Sequence, residues 1–335
     1  MDAIILHSTR EWPRNARTSV EKAASRWNVS IRLFDLPFDP HPSWARLSLP
    51  ARLTEFRRVL VLDPDIMLSE DCPNPFERAP LGHVCMAPEW QYEGPGHRYP
   101  WMHCLQQWVP HFGETDPRDH LQGGLCLYEP SVHGPAIEQM HRWWVDLGRP
   151  SHWPLYEQPL WSEVGERLFG LPILRVSRLL NRHTPFASRP LATWGAHFSG
   201  NKKRFIDGSD GRGEATRPAL LRKTCRFISP FLPPEAIREW AATFAFQENC
   251  VFVGPDHLSL VWLASEICEG RILWLYDWDR TRMGGVLSAL RYKIAQKKVV
   301  LVRSPVERYP EHVKSVIEGR PFLAVGCERS KLEPP

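Results

Sequence analysis

RLTEFRRVLVLDPDIMLSED, residues 52–71, decides how this chain is read. Residues 59–62 are an apolar run of strand type. They drive straight into Asp63-Pro64-Asp65. Two carboxylates one residue apart at the end of a buried strand have two explanations. They cap a turn that Pro64 stiffens. Alternatively they hold a hard divalent cation, which prefers oxygen ligands and uses one or two carboxylates beside phosphate and water. The position suits a ligand, because open α/β sheets bind beyond the carboxyl ends of their strands.

Working outward, residues 3–7 read as a first strand, 18–27 as a helix and 29–34 as a second strand. Residues 44–53 carry a helical pattern that Pro50 kinks or breaks. Residues 82–86 and 123–128 read as further strands, and 136–147 and 159–169 as helices. Strands alternating with helices predict an α/β sheet. Residues 88–120 break the pattern. They are dense in aromatic, His and Pro residues. A long irregular segment inside a compact domain is functional or disordered, and this aromatic content argues against disorder.

At 335 residues the chain is long enough for two domains. Residues 201–218, NKKRFIDGSDGRGEATRP, are rich in Gly, Asp, Lys and Arg and poor in apolar side chains. They predict a boundary: a first domain over 1–205, a linker over 206–222 and a second α/β domain over 223–335. A net charge of +4, spread along the chain, gives no basic stripe and so no expectation of a nucleic-acid partner. The 8 cysteines include no C-x-x-C pair, which excludes a zinc knuckle and predicts structural thiols in a reducing, cytoplasmic setting. No signal peptide and no run of roughly 20 apolar residues is visible, so no transmembrane segment is expected, and peripheral membrane association stays open.

Further along, residues 197–203 read HFSGNKK. His197 can supply a third metal ligand, Gly200 lets backbone approach a phosphate closely, and Lys203 can neutralise a diphosphate as a point charge. Together with Asp63 and Asp65 this spacing suits a metal–diphosphate clamp.

These pieces, in this order, resemble the GT-A glycosyltransferases of the glycogenin and lipopolysaccharide galactosyltransferase type. In that family a segment of the form L-T-x-Y-x-R/K-V precedes a strand ending in Leu-Asp-Ala-Asp. Here Leu53-Thr54-Glu55-Phe56-Arg57-Arg58-Val59 precedes Leu62-Asp63-Pro64-Asp65. Gln122-Gly123-Gly124 stands where the family has Asn-x-Gly, Glu157-Gln158 where it has Asp-Gln, and His197, Gly200 and Lys203 match its His-x-x-Gly-x-x-Lys. Arg46 and Arg52 are stand-ins for a basic residue that the family carries ahead of the metal strand.

The resemblance implies a Rossmann-like GT-A domain and a retaining, metal-dependent transfer of a sugar from a nucleotide-diphosphate donor, UDP-linked, to a glycan or lipid-linked acceptor in polysaccharide biosynthesis. It implies manganese or magnesium on Asp63, Asp65 and His197. Asp63, Gln122, Gly123, Gly200, Lys203 and Arg52 would contact the donor, and Gln158 and Glu157 would lie near the reacting sugar. Trp90, Tyr92, Trp101 and Trp108 then offer flat apolar faces to an acceptor, the alternative being a structural cap.

Residues 251–279, VFVGPDHLSLVWLASEICEGRILWLYDWD, resemble the start of class I S-adenosylmethionine-dependent methyltransferases. Gly254 matches the first glycine of that family's loop, and Asp277 its ribose-binding acid. Asp256 and Leu258 replace later loop positions, which implies a methyltransferase-like accessory domain without the cofactor. Two other readings stay open: a methyltransferase or bifunctional enzyme, and a non-catalytic sugar-nucleotide or carbohydrate-binding scaffold.

Overall fold

The computed structural model describes residues 1–8, 12–35, 46–88, 121–146, 158–183, 194–197, 232–254, 256–276, 290–291, 293–296 and 298–333. The chain divides into two compact units. The first comprises Met1–Leu174 and Arg178–Pro218, the second Arg175–Ser177 and Ala219–Pro335. Both are α/β, as the alternation of patterns predicts. The linker expected at 206–222 and the aromatic stretch 89–120 lie outside the described residues.

The first unit opens with β1 (Asp2–Ser8), α1 (Arg14–Trp27) and β2 (Ser30–Asp35). Helix α1 buries Ala16, Val20, Ala23, Ala24 and Trp27, a spacing that keeps one apolar face on the sheet. It stops at Asn28, whose left-handed φ of 53° turns its N–H back to the carbonyls of Ala24 and Ser25. The helical segment expected over 44–53, kinked or broken at Pro50, is described from residue 46 on as two single turns of 3-10 helix, Arg46–Ser48 and Pro50–Arg52. Pro50 lacks the N–H that a continuous α-helix needs there. Then come β3 (Arg58–Leu62), β4 (Ile66–Leu68), α2 (Pro75–Arg78), β5 (Val84–Pro88) and β6 (Leu121–Tyr128). Strand β5 starts two residues later than expected, because Gly82 takes a φ of +75° and forms a turn.

Helix α3 (Pro130–Asp146) begins earlier than its apolar period suggests, and packs Ile137, Met140 and Trp144 into the core. A short helix α4 (Gln158–Leu160) runs into a π-helical turn, Trp161–Glu166, where a regular helix was expected. Strands β7 (Ile173–Arg175), β8 (Arg182–His183) and β9 (Gly195–His197) follow.

The main sheet has the order β2-β1-β3-β6-β5-β7, with β1 parallel to both neighbours and β6 antiparallel to β3 and β5. Every residue of β3, β5 and β6 is buried, as expected of central strands covered on both faces. Arg58 is also buried. It donates to the carbonyls of Phe76, Ala79 and Pro80 and so ties α2 to the start of β3. A second, three-stranded sheet has the order β4-β9-β8.

His133 is buried on α3, and its Nδ1 accepts the Glu129 N–H at 3.0 Å. Burial lowers its pKa from the ordinary value. A histidine with a depressed native pKa leaves the unfolded chain binding more protons, so stability falls as pH drops below the unfolded value of about 6.5. His133→Asn keeps an acceptor at the same place without a proton to gain. It is expected to flatten the fall of melting temperature between pH 7 and 5; an unchanged slope would contradict the assignment.

The second unit contains α5 (Pro234–Phe244), β10 (Asn249–Val253), α6 (Leu258–Ile267), β11 (Ile272–Tyr276), β12 (Val299–Arg303), α7 (Tyr309–Ile317) and β13 (Phe322–Val325). The strands among its described residues are all parallel, in the order β12-β11-β10-β13. Val251, Leu273 and Leu275 pack against Tyr309, Val313 and Ile317 of α7. Cys72, Cys85, Cys126, Cys250 and Cys268 are buried and unbridged, and burial pushes the Cys85 thiol up to about 12. They fit the structural role expected of them.

Candidate metal centre and donor site

The Asp63-Pro64-Asp65 segment is a turn that brings two carboxylates to the carboxyl end of β3. The Ile66 N–H reaches the Asp63 carbonyl at 3.3 Å, which closes the chain between β3 and β4. The Asp63 N–H continues the β3–β6 ladder to the Gly124 carbonyl at 2.9 Å. Strand β4 then runs antiparallel to β9 with Ile66 opposite His197. That register places His197 beside both carboxylates. One ligand atom from each of Asp63, Asp65 and His197 falls within 4.8 Å of the others. His197 Nε2 lies 3.2 Å from Asp65 Oδ1 and 3.6 Å from Asp63 Oδ2.

His197 Nδ1 sits 3.1 Å from Asn181 Oδ1. An amide oxygen only accepts, so Nδ1 carries the proton; a cation among the three side chains would take the Nε2 lone pair, and without one the contact to the carboxylates is attractive only when Nε2 is protonated as well. A histidine whose outer nitrogen is held this way is oriented as metal-binding histidines are. The donor set, two carboxylates and an imidazole, is compatible with a divalent cation.

Two glycines make this packing possible. A Cβ on Gly124 would stand 2.5 Å from His197 Cε1 and 2.8 Å from Nδ1. A Cβ on Gly195 would run into the Leu180 carbonyl and push β9 away. Gly124→Ala is therefore expected to displace the imidazole and raise the manganese dissociation constant about 10- to 100-fold, the range seen when a ligand loses its support. Wild-type affinity in a folded Gly124→Ala protein would contradict the geometry.

Charge balance comes from Arg46. Its Nη1 donates to Asp63 Oδ1 at 2.9 Å and also to the Gly123 carbonyl. Only 4% of the Arg46 side chain is exposed. His7, at the carboxyl end of β1, brings Nε2 to 3.3 Å from the same Asp63 oxygen. Burial works against the Asp63 carboxylate, but Arg46, His7 and His197 outweigh it and hold its pKa well below the ordinary range. Burial, partly offset by Asp63, lowers the pKa of His7.

Other expected site residues are placed as follows. Gln122 is buried on β6, and its Oε1 has no hydrogen-bond partner among the described residues; the same holds for Gln158 Oε1 on α4. Arg52 is exposed, and its guanidinium lies 4.9 Å over the Phe34 ring. Of the two arginine stand-ins, Arg46 is the one that reaches Asp63. Glu157, Gly200 and Lys203 lie outside the described residues, as do Trp90, Tyr92, Trp101 and Trp108. Sequence reading missed the roles of His7, Asn181 and Gly124. Only Gly124 left a signal, since a Gly-Gly pair inside a buried strand marks a close approach.

In the second unit the strand order reverses between β10 and β13, where parallel sheets receive ligands. His257 Nε2 lies 3.0 Å from the Val253 carbonyl at the end of β10. A Cβ on Gly326, just beyond β13, would stand 2.7 Å from the same nitrogen. Gly254 has a φ of +104°, and its carbonyl accepts from Trp274 Nε1 at 2.6 Å. Asp277 lies outside the described residues.

No protein-family model matches the chain, and no curated protein matches it. Among solved structures, one similar chain is a glycosyltransferase involved in glycosylation of the major capsid of PBCV-1, at 11% identity and TM-score 0.40 over 62% of this chain and 98% of that one. Mouse xyloside xylosyltransferase 1 gives 12% identity and TM-score 0.37 over 60% and 98%. The glycosyltransferase GlyE of Streptococcus pneumoniae TIGR4 gives 15% identity and TM-score 0.38 over 97% and 86%.

Proposed function

We propose that the chain is a metal-dependent glycosyltransferase that moves a sugar from a nucleotide-diphosphate donor, UDP-linked, to a glycan or lipid-linked acceptor. The observation that carries this reading is the Asp63–Asp65–His197 cluster at the carboxyl end of β3, oriented by Asn181 and balanced by Arg46. A hard cation bound there supplies charge stabilisation for a leaving diphosphate.

The chain's own residues do the rest. Asp63, Asp65 and His197 fix the cation. Arg46 limits the net negative charge of the carboxylate pair, so an anionic donor meets less repulsion. The Gln122 and Gln158 side-chain oxygens are acceptors without partners among the described residues, and sugar hydroxyls are donors of matching chemistry. Lys203 is assigned to the diphosphate, and Glu157 to the surroundings of the donor sugar. Retention of anomeric configuration is what the glycogenin resemblance implies. Among the described residues, no helix is long and apolar enough to cross a membrane. We assign the second unit an accessory role without S-adenosylmethionine, because Asp256 and Leu258 replace later positions of the loop pattern and His257 Nε2 is turned onto the Val253 carbonyl.

The test is a panel of UDP-sugars incubated with the full chain and manganese, with release of UDP as the readout. Release from at least one donor, stopped by chelation, is the expected result. No release from any nucleotide sugar by the folded protein would favour a binding scaffold instead.

A further inference from the structure

His7 is a costly residue where it stands. It lies near the end of β1, a strand flanked by β2 and β3, and only 2% of it is exposed. Neither ring nitrogen makes a well-formed hydrogen bond to a described residue. A valine or leucine would fill the position without leaving polar atoms buried.

The sheet register shows what the ring is near. Strands β1 and β3 are parallel with Leu6 opposite Leu62, so the next pair is His7 and Asp63. His7 Nε2 comes within 3.3 Å of Asp63 Oδ1, the oxygen that Arg46 Nη1 holds at 2.9 Å. The other oxygen, Oδ2, faces His197 Nε2 at 3.6 Å. The two carboxylate oxygens thus have different company. Oδ1 faces Arg46 and His7, and Oδ2 faces the metal cluster.

From this juxtaposition we infer that His7 is a positioning residue for the metal centre: its Nε2–H and the Arg46 guanidinium together hold Asp63 Oδ1 and reserve Oδ2 for the cation. A carboxylate only accepts, so the ring proton must sit on Nε2 for the contact to be attractive. Two donors on one oxygen stop the carboxylate from rotating and set which atom it presents. Hydrogen bonds of this kind are often poorly aligned until the ligand is in place, which accounts for the imperfect alignment at 3.3 Å. The inference rests on the reading of Asp63, Asp65 and His197 as a metal site.

The experiment compares manganese binding to the full chain by electron paramagnetic resonance for wild type, His7→Phe and His7→Gln. Phenylalanine keeps a ring and removes the donor. Glutamine carries an amide N–H at the same number of bonds from Cα as the imidazole Nε2. His7→Phe is expected to raise the dissociation constant about 10- to 100-fold and to alter the bound-manganese spectrum. His7→Gln is expected to restore wild-type affinity to within about threefold, a small part of that range. If His7→Phe does not fold, His7→Leu replaces it. Two results overturn the inference: wild-type affinity in the donor-free variant, or equal losses in both variants, which would make the ring a packing element. Absence of manganese binding to wild type would instead remove the metal reading on which the inference stands.

Discussion

Arg46→Met is expected to destabilise the first unit by about 3–5 kcal/mol, the cost of breaking a buried ion pair and leaving one charge unpaired. Arg46 is 4% exposed, pairs with Asp63 and also satisfies the Gly123 carbonyl of β6. Its loss leaves Asp63 with His7 and His197 as its nearest positive or neutral partners. Adding Asp63→Asn to Arg46→Met removes the stranded charge and is expected to recover part of the loss. Chemical denaturation of the three proteins at neutral pH provides the check. A single Arg46→Met variant as stable as wild type would show that the pair contributes little.

Asp65→Ala has the opposite signature. It is expected to weaken manganese binding by more than the roughly 100-fold typical of losing an outer partner, because it removes a ligand outright. Metal-free stability should change little. Asp65 and Asp63 present like charges within one cluster, so deleting one relieves repulsion while costing the contact to His197. A variant that unfolds without metal would mean that Asp65 serves the fold first. Manganese affinity unchanged from wild type would exclude it as a ligand.

How much of this was legible in the sequence depended on the length of each pattern. Strands β1 and β3 contain apolar runs, and their burial follows from those runs, whereas β6 is apolar only over residues 125–128. Strand β4 has three residues, too few to show a period. Strand β9, Gly195-Ala196-His197, contains small residues of low strand propensity and exists because β4 pairs with it. His197 was readable as a candidate ligand from its spacing to Gly200 and Lys203, but not its orientation, which depends on Asn181. Choosing between Arg46 and Arg52 needed the backbone. The two 3-10 turns send Arg46 inward to Asp63 and leave Arg52 outside on Phe34. His7 had no pattern at all, because one histidine at a strand end acquires meaning only from the residue across the sheet.

The most direct measurement is calorimetric titration of UDP into the wild-type full chain, once with manganese and once after chelation. Saturable binding that disappears on chelation is the predicted result. Absence of binding under both conditions, or equal affinity with and without metal, would contradict a metal–diphosphate site built on Asp63, Asp65 and His197.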